Sequence, residues 1–405
     1  MPSYSPAYHC LALPFIGDFG SIDKVTHLND LPAPEIFIAS DLTGANRDGE
    51  IIIKAWKGVD CQSLTDKDVA VVVDSIMKAK SEMNLKVGGI SLRNHNISDK
   101  GTVRLAELLE NGANPGKEEG ATPSGVQTLD LVGNDIGADG CAALCDVLKT
   151  NTTLTTLNLS RNSLGRKGGY KLAEMLELNS SIVEMSCGDC DLTTDNVIAI
   201  MSVMRQNILI ESLVLENCRT FSRQEDLAKH AGRMLAFNTT LVELNFDRNG
   251  VGDEGATIFA QVLEQKNKSL RHLSLSGNKI GVTGAESLAS LLIRKGNIVS
   301  LNLANNRICD DGAKAFGAAL ANNKSLRALN LKSNSIKDSG LVSIALGMQE
   351  NSTLSELRLW GNDFAQDSCN EYLALCESRF DYFGVSVDFA PYVVDGGYSV
   401  AELQI

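Results

Sequence analysis

One pattern governs what this chain can fold into: an apolar residue, two others, then Leu-x-Leu-x-x-Asn-x-Ile, recurring along most of its 405 residues with a period near 28. The asparagine position runs through Asn134, Asn162, Asn249, Asn278, Asn306, Asn334 and Asn362, and His95, Cys190 and Cys218 fill it in three further copies, giving ten repeats. From Asn278 to Asn306, Asn334 and Asn362 the step is 28 each time, against 29 from Asn249 to Asn278 and 31 from Cys218 to Asn249, so the frame carries small insertions. A unit of this length cannot bury its own apolar face, so the repeats must stack and the ends need caps.

Within a repeat, the pairs Leu129/Leu131 and Leu301/Leu303 alternate with polar residues, as a short half-buried strand does. The asparagine that follows sits where the chain turns inward, and its amide can bond backbone groups that no strand or helix satisfies, so stacked repeats form an asparagine ladder. Acidic or hydroxyl residues come next, such as Asp253 or Ser98 with Asp99, and they suit the positive start of a helix. The helix shows one apolar stripe, as in Ala285, Leu288, Ala289 and Leu292, or Ala256, Phe259, Ala260 and Leu263. Gly140, Gly255, Gly284, Gly312 and Gly340 precede that stripe and are expected to let helix and strand layers approach. Helices need about 10 Å of lateral room against about 4.8 Å for strands, so the expected α/β solenoid is a horseshoe with parallel strands on the concave face and helices on the convex face. Its inner sheet, counting an eleventh strand, would be about 50 Å long.

The same frame sets the domain limits. Residues 1–50 hold five of the eight prolines and read as an extended amino-terminal arm; 51–89 read as a cap, with a strand near Ile51 to Lys54 and a helix near Asp66 to Met77. The ten repeats cover 90–380, with a Gly, Pro and charge-rich insertion at 112–125. Val385 and Val387 lie 28 residues after Leu357 and Leu359, so 381–405 is expected to hold a closing strand and a tail. The tail carries Tyr392, Val393, Val394 and Tyr398, too apolar for a freely solvated end, and should either cover the last repeat or grip a partner.

Leu-x-Leu-x-x-Asn-x-Ile followed by an acidic helix start and glycine resembles the ribonuclease-inhibitor-like leucine-rich repeats. The first repeat, Leu92-Arg93-Asn94-His95-Asn96-Ile97-Ser98-Asp99-Lys100-Gly101, and the closing segment from Val387 to Gly396 are similar to the family of leucine-rich-repeat-containing protein thirty-four. That resemblance implies a non-enzymatic protein of ciliated and sperm cells, a scaffold within an axonemal assembly such as a radial spoke. A rival from another class is a GTPase-activating protein of the Ran-activator type, which uses the same repeats. Ran activators carry an acidic tail, and no acidic run follows Asn362 here. A third reading, an inhibitor wrapping a ribonuclease-like enzyme, suits the negative charge, but that class has far more cysteine.

A formal net charge of -13 argues against nucleic acid or anionic lipid as partners, and no stretch approaches a membrane span or a signal peptide, so the chain reads as cytoplasmic. The Cys187/Cys190 pair has the spacing of zinc and redox sites, yet the frame puts Cys187 at the second Leu position and Cys190 on the ladder, which is a structural role. Cys141, Cys145, Cys369 and Cys376 fall on helix stripes, and five scattered histidines mark neither a metal site nor a general base; no cofactor is implied. Asn151, Asn238 and Asn351 head sequon-like triplets, but at one repeat position, as a loop consensus would.

Other proteins are the expected partners, bound through the concave face and the terminal arms. Residues between and just after the strand leucines project there in two rows. One runs Ser91, Asp130, Asn158, Ser186, Val214, Asn245, Ser274, Asn302, Asn330 and Arg358; the other runs Arg93, Val132, Ser160, Gly188, Glu216, Asp247, Ser276, Ala304, Lys332 and Trp360. Trp360 beside Arg358 and Lys332 has the composition of an interface centre, or else packs under the tail. Glu216 and Asp247 make an acidic middle that would speed association with a basic partner.

Overall fold

The computed structural model describes residues 36–39, 51–55, 63–83, 87–112, 125–218, 224–294, 297–376, 384–394 and 396–403. The chain divides into two compact units, 1–192 and 193–405. In the first, β1 (Ile36–Ala39) runs antiparallel to β2 (Ile51–Ala55), and β2 is parallel to β3 (Val87–Leu92) with a register shift at Ile51/Ile52. Parallel pairing continues through β4 (Thr128–Asp130), β5 (Thr156–Asn158) and β6 (Glu184–Ser186), with α1 (Asp66–Met83), α2 (Asp99–Gly112), α3 (Ala138–Leu148) and α4 (Gly165–Leu178) between strands. The expected extended arm thus contributes a strand, and α1 runs six residues past the expected Met77, to Met83. The 112–125 insertion lies largely outside the described residues, as does most of 1–50.

The second unit repeats the plan. Helices α5 (Thr194–Met204), α6 (Gln224–Phe237), α7 (Asp253–Gln265), α8 (Val282–Arg294), α9 (Cys309–Asn322), α10 (Asp338–Glu350) and α11 (Gln366–Leu375) alternate with β7 (Ser212–Val214), β8 (Glu243–Asn245), β9 (His272–Ser274), β10 (Ser300–Asn302), β11 (Ala328–Asn330), β12 (Glu356–Arg358) and β13 (Ser386–Val387). Equivalent leucines pair across neighbouring parallel strands, Leu273 with Leu301 and Leu301 with Leu329, so each apolar position stacks on its own kind. Strands are three residues long through most of the stack: Leu301 lies inside one and Leu303 opens the turn, and both are buried. The stripe Ala285, Leu288, Ala289 and Leu292 is buried as its spacing requires, and a fully buried leucine contributes about 1.5–3 kcal/mol.

The acidic helix starts act on the neighbouring repeat. Gly137, Lys337 and Ala365 stand at N-caps without a side-chain acceptor of their own. Asp99 accepts from Gly137 N at 2.7 Å, Asp310 from Lys337 N at 2.6 Å, and Asp338 from Ala365 N and Ser368 N at 3.2 and 2.9 Å. A carboxylate on one repeat therefore caps the helix of the next, where the free N–H groups and the helix dipole favour negative charge. Three first-turn glycines, Gly140, Gly284 and Gly340, serve the same contact, whereas Gly255 and Gly312 make room for apolar side chains, Val251 with Ala228 and Ile308 with Ala285. A Cβ on Gly340 would lie 2.7 Å from Ile336 Cγ2 of its own turn, 2.8 Å from Asp310 Oδ1 and 2.9 Å from Asp310 Cα, so the close approach is to the preceding helix start as well as to the apolar residue of its own turn.

Burial pushes the Asp338 carboxyl up, but hydrogen bonds from the Ser368 hydroxyl and from backbone N–H groups outweigh it and leave the pKa lowered. Asp338→Ala should lower the thermal midpoint at neutral pH by the equivalent of about 1 kcal/mol, a capping loss. Because the folded pKa is depressed, the contribution is whole above the unfolded value and is lost as pH falls through the folded one; the wild-type advantage should shrink below about pH 4 in melts recorded across pH.

The carboxy-terminal strand is slipped relative to the 28-residue frame. Leu357 pairs with Val387 and Glu356 with Ser386, whereas the frame sets Leu357 opposite Val385. The slip of two residues keeps the same face buried and lets Asp388 end the sheet: its Oδ1 accepts from Leu359 N at 2.8 Å and Trp360 N at 3.2 Å, replacing a strand carbonyl. Phe389 closes the core against Tyr372 and Phe364, with ring centroids 4.9 and 5.2 Å apart. Beyond it β14 (Phe389–Val394) and β15 (Gly397–Glu402) form an antiparallel hairpin on which Tyr392, Val393 and Val394 stay exposed. Phe389, which sequence reading passed over, covers the last repeat in place of the tail tyrosine and valines.

Candidate functional site

Ladder side chains fix the turns that present the strand face. Asn306 donates to Leu275 O of the preceding repeat at 2.9 Å and to Leu303 O of its own at 3.0 Å, while its Oδ1 accepts from Ile280 N at 3.0 Å. Asn134, Asn162, Asn334 and Asn362 make the same bonds to the repeat before, and Asn278 and Asn249 close variants of them. His95 is buried and accepts from Leu64 N of the cap at 3.2 Å through Nδ1, so the imidazole is the rung that joins cap to stack.

The cysteine rungs show what a thiol can and cannot replace. Cys190 Sγ donates to Leu159 O at 3.1 Å, but a thiol is a poor acceptor, and Leu164 N turns to its own Asn162 O at 3.0 Å. Cys218 Sγ lies 3.7 Å from Leu215 O, and its N–H donates to Asn249 Oδ1 at 3.0 Å. Burial pushes the Cys190 thiol up to about 12, which keeps it protonated at neutral pH and unsuited to redox or metal work. No group of three or more His, Cys, Asp or Glu side chains that could hold a metal ion occurs among the described residues. Cys141, Cys145, Cys187 and Cys369 are buried; Cys376 is only half-buried.

A second ladder runs where successive helices return to strands. Asn179 donates to Leu148 O at 2.6 Å and accepts from Ser181 N and Ile182 N; Asn238 donates to Met204 O and Asn207 O; Asn267 donates to Leu235 O and Asn238 O; Asn351 donates to Leu320 O and Asn323 O. The amides of the sequon-like Asn151, Asn238 and Asn351 are buried in these bonds. Sequence reading noticed the shared position but not its work; asparagine at 151, 179 and 207, 28 residues apart, was the available signal.

All ten residues of the first surface row, Ser91 through Arg358, are half-buried on the strand face of their unit. In the second row Val132, Gly188 and Ala304 are buried and do not project as expected. Lateral bonds tie neighbours together: Ser274 Oγ donates to Asp247 Oδ1 at 2.6 Å, Ser276 N donates to the same oxygen at 2.7 Å, and Asn302 donates to Ser274 Oγ at 2.9 Å. Burial raises the Asp247 pKa against these bonds, and nearby Glu216 adds to the rise. Glu216 itself holds Arg248 at 2.6 Å. The acidic middle is therefore part of the scaffold's own bonding, and its field is weaker than two free carboxylates would give.

At the carboxy-terminal end Lys332, Arg358 and Trp360 are half-buried, and each is held from within the chain. Lys332 Nζ lies 3.4 Å from Glu402 Oε1 and 3.3 Å from Asp388 Oδ2, the latter outside hydrogen-bond geometry. Arg358 Nε donates to Glu356 at 2.9 Å. Trp360 is tied through its backbone to Asp388 and leaves its ring partly on the surface.

Residues 126–145, 150–173, 237–260, 266–289, 297–317 and 322–345 match the family described as Leucine Rich repeat. The chain carries leucine-rich repeats, and they resemble those of the ribonuclease-inhibitor type. It is similar to Leucine-rich repeat-containing protein 34 of Mus musculus, 38% identical over 102 residues, which is 25% of this chain and 24% of that protein. It is similar also to Ribonuclease inhibitor of Sus scrofa, 30% identical over 214 residues, 53% of this chain and 38% of the relative. The chain thus spans about a quarter and under two fifths of these relatives' lengths. Among solved structures, the Rad7 and Elc1 complex in yeast aligns with 73% of this chain and 88% of that chain at 16% identity, with a TM-score of 0.47.

Proposed function

We propose that this leucine-rich-repeat chain is a non-enzymatic scaffold that holds other proteins on its strand face, as part of a larger axonemal assembly such as a radial spoke in a cilium or flagellum. The observation that carries the scaffold reading is the half-buried row from Val214 to Arg358, kept in register by parallel strands and fixed turns, so that side chains at one repeat position stand side by side. A rigid, ordered, partly polar row offers a partner many prealigned contacts at low entropic cost. The axonemal placing rests on the family resemblance of the first repeat and of the segment from Val387 to Gly396.

Trp360 and Arg358 are the residues expected to anchor the partner, because an interface core is rich in these two types. The wild-type chain should co-sediment with isolated axonemes, and Trp360→Ala with Arg358→Ala should weaken that binding about 30-fold, the equivalent of about 2 kcal/mol, with the thermal midpoint unchanged. Failure to co-sediment at micromolar concentration would defeat the axonemal placing. Acceleration of GTP hydrolysis by a small GTPase, by orders of magnitude, would replace the scaffold reading with a catalytic one.

A further inference from the structure

The helix side of the second unit carries a groove of about 290 Å³ between α6 and α7. Its floor is Ala236, Ile258 and Val262, with Gly232 where the helices pack closely: a Cβ there would lie 2.5 Å from Ile258 Cγ2. Phe237 forms an end wall and is 60% exposed, an unusual place for a phenylalanine, with the Arg205 guanidinium 4.7 Å from its ring centroid. Lys229, Arg233 and Lys266 line the rim, and no carboxylate lines it among the described residues. Glu254 reaches Lys229 from outside at 3.1 Å. On a chain of net charge -13, an apolar groove edged by three cations runs against the surrounding field.

We infer that this groove is a second protein-binding site, separate from the strand face, and that its occupant is an amphipathic helical segment of a partner with an apolar stripe and flanking carboxylates. Two parallel helices leave a channel that admits apolar side chains spaced i, i+3, i+4 and i+7, the helix-in-groove mode. Phe237 and Ile258 supply the desolvated contact; Arg233 and Lys266 select for acid on the flanks and steer its approach. A leucine-rich-repeat chain with one partner on its strands and another on its helices can bridge the two.

The test uses fluorescence anisotropy with a labelled helical peptide carrying leucine and phenylalanine on the stripe and glutamate elsewhere. One control peptide has lysine for glutamate, and a second has serine for the stripe. The full chain should bind the first peptide at least tenfold more tightly than either control, and more weakly as salt is added. Arg233→Glu with Lys266→Glu, both exposed, should cost at least tenfold without changing the thermal midpoint, and Phe237→Ser should cost a similar factor. Trp360→Ala with Arg358→Ala should leave peptide binding unaltered, which separates this site from the strand face. Equal binding of the serine peptide, indifference to charge reversal, or capture of phosphatidylserine vesicles in preference to the peptide would each overturn the inference.

Discussion

Gly347→Ala should lower the thermal midpoint of this protein, although alanine is the better helix former. In a helix interior that exchange is ordinarily worth about 0.5–1 kcal/mol in alanine's favour. Here the added Cβ would lie 2.2 Å from Gly317 O and 3.0 Å from Gly317 Cα, and the mirror position, Gly317, would place its own 2.2 Å from Ser343 O. The obstacle in both cases is backbone, which cannot swing aside as a side chain can, so α9 and α10 must move apart. Overpacking of this kind costs about 1–3 kcal/mol, and moving two backbones belongs at the upper end, leaving a net loss of about 2 kcal/mol. Melting followed by circular dichroism reads it directly; a midpoint that stays level or rises would mean the two helices pack less closely than described. The double variant should cost less than the sum of the two, since one separation serves both.

Asn306→Ala should be the more damaging change. It strands Leu275 O and Ile280 N in a buried turn, while Leu303 O keeps its bond from Asn334; each unpaired buried group costs about 1–3 kcal/mol, so a loss of about 3 kcal/mol is expected. Asn306→Cys should recover part of it. Cys190 shows how: the thiol keeps one donor bond, and the displaced N–H finds a carbonyl within its own turn. Denaturant titration of the three proteins should rank them wild type, cysteine, alanine; an alanine variant as stable as wild type would mean the ladder is ornamental.

The repeat was legible because its period is a property of single positions. Leucines, ladder asparagines and helix stripes each answer to burial or to a local turn, and their spacing survives in one dimension. What the spacing concealed are relations between repeats. Asp253 and Asp338 read as acids at the start of their own helices, yet Asp253 bonds Gly281 N and Gly284 N, and Asp338 bonds Ala365 N and Ser368 N. Gly317 and Gly347 lie 30 residues apart, off the 28-residue frame, and nothing local distinguishes them from other helix glycines. The Val385 register failed because Asp388 can end the sheet only after a slip of two residues. On the strand face, Asn330 pairs with Arg358 as the repeat frame sets them, but the frame could not show Lys332 engaged with Glu402, a contact 70 residues distant in the chain.

Hydrogen exchange at the strand amides tests lateral stacking most directly. Leu275 N donates to Asn302 O, Leu303 N to Asn330 O and Leu331 N to Arg358 O, each at 2.8–2.9 Å and each between successive repeats. If neighbouring repeats hold one another, these amides are among the slowest to exchange in the second unit, and Asn306→Ala speeds all three while the far α11 amides change least. Fast exchange at Leu275, Leu303 and Leu331 alongside protected helices would contradict the account, because the helices would then be standing without the stack that is meant to support them.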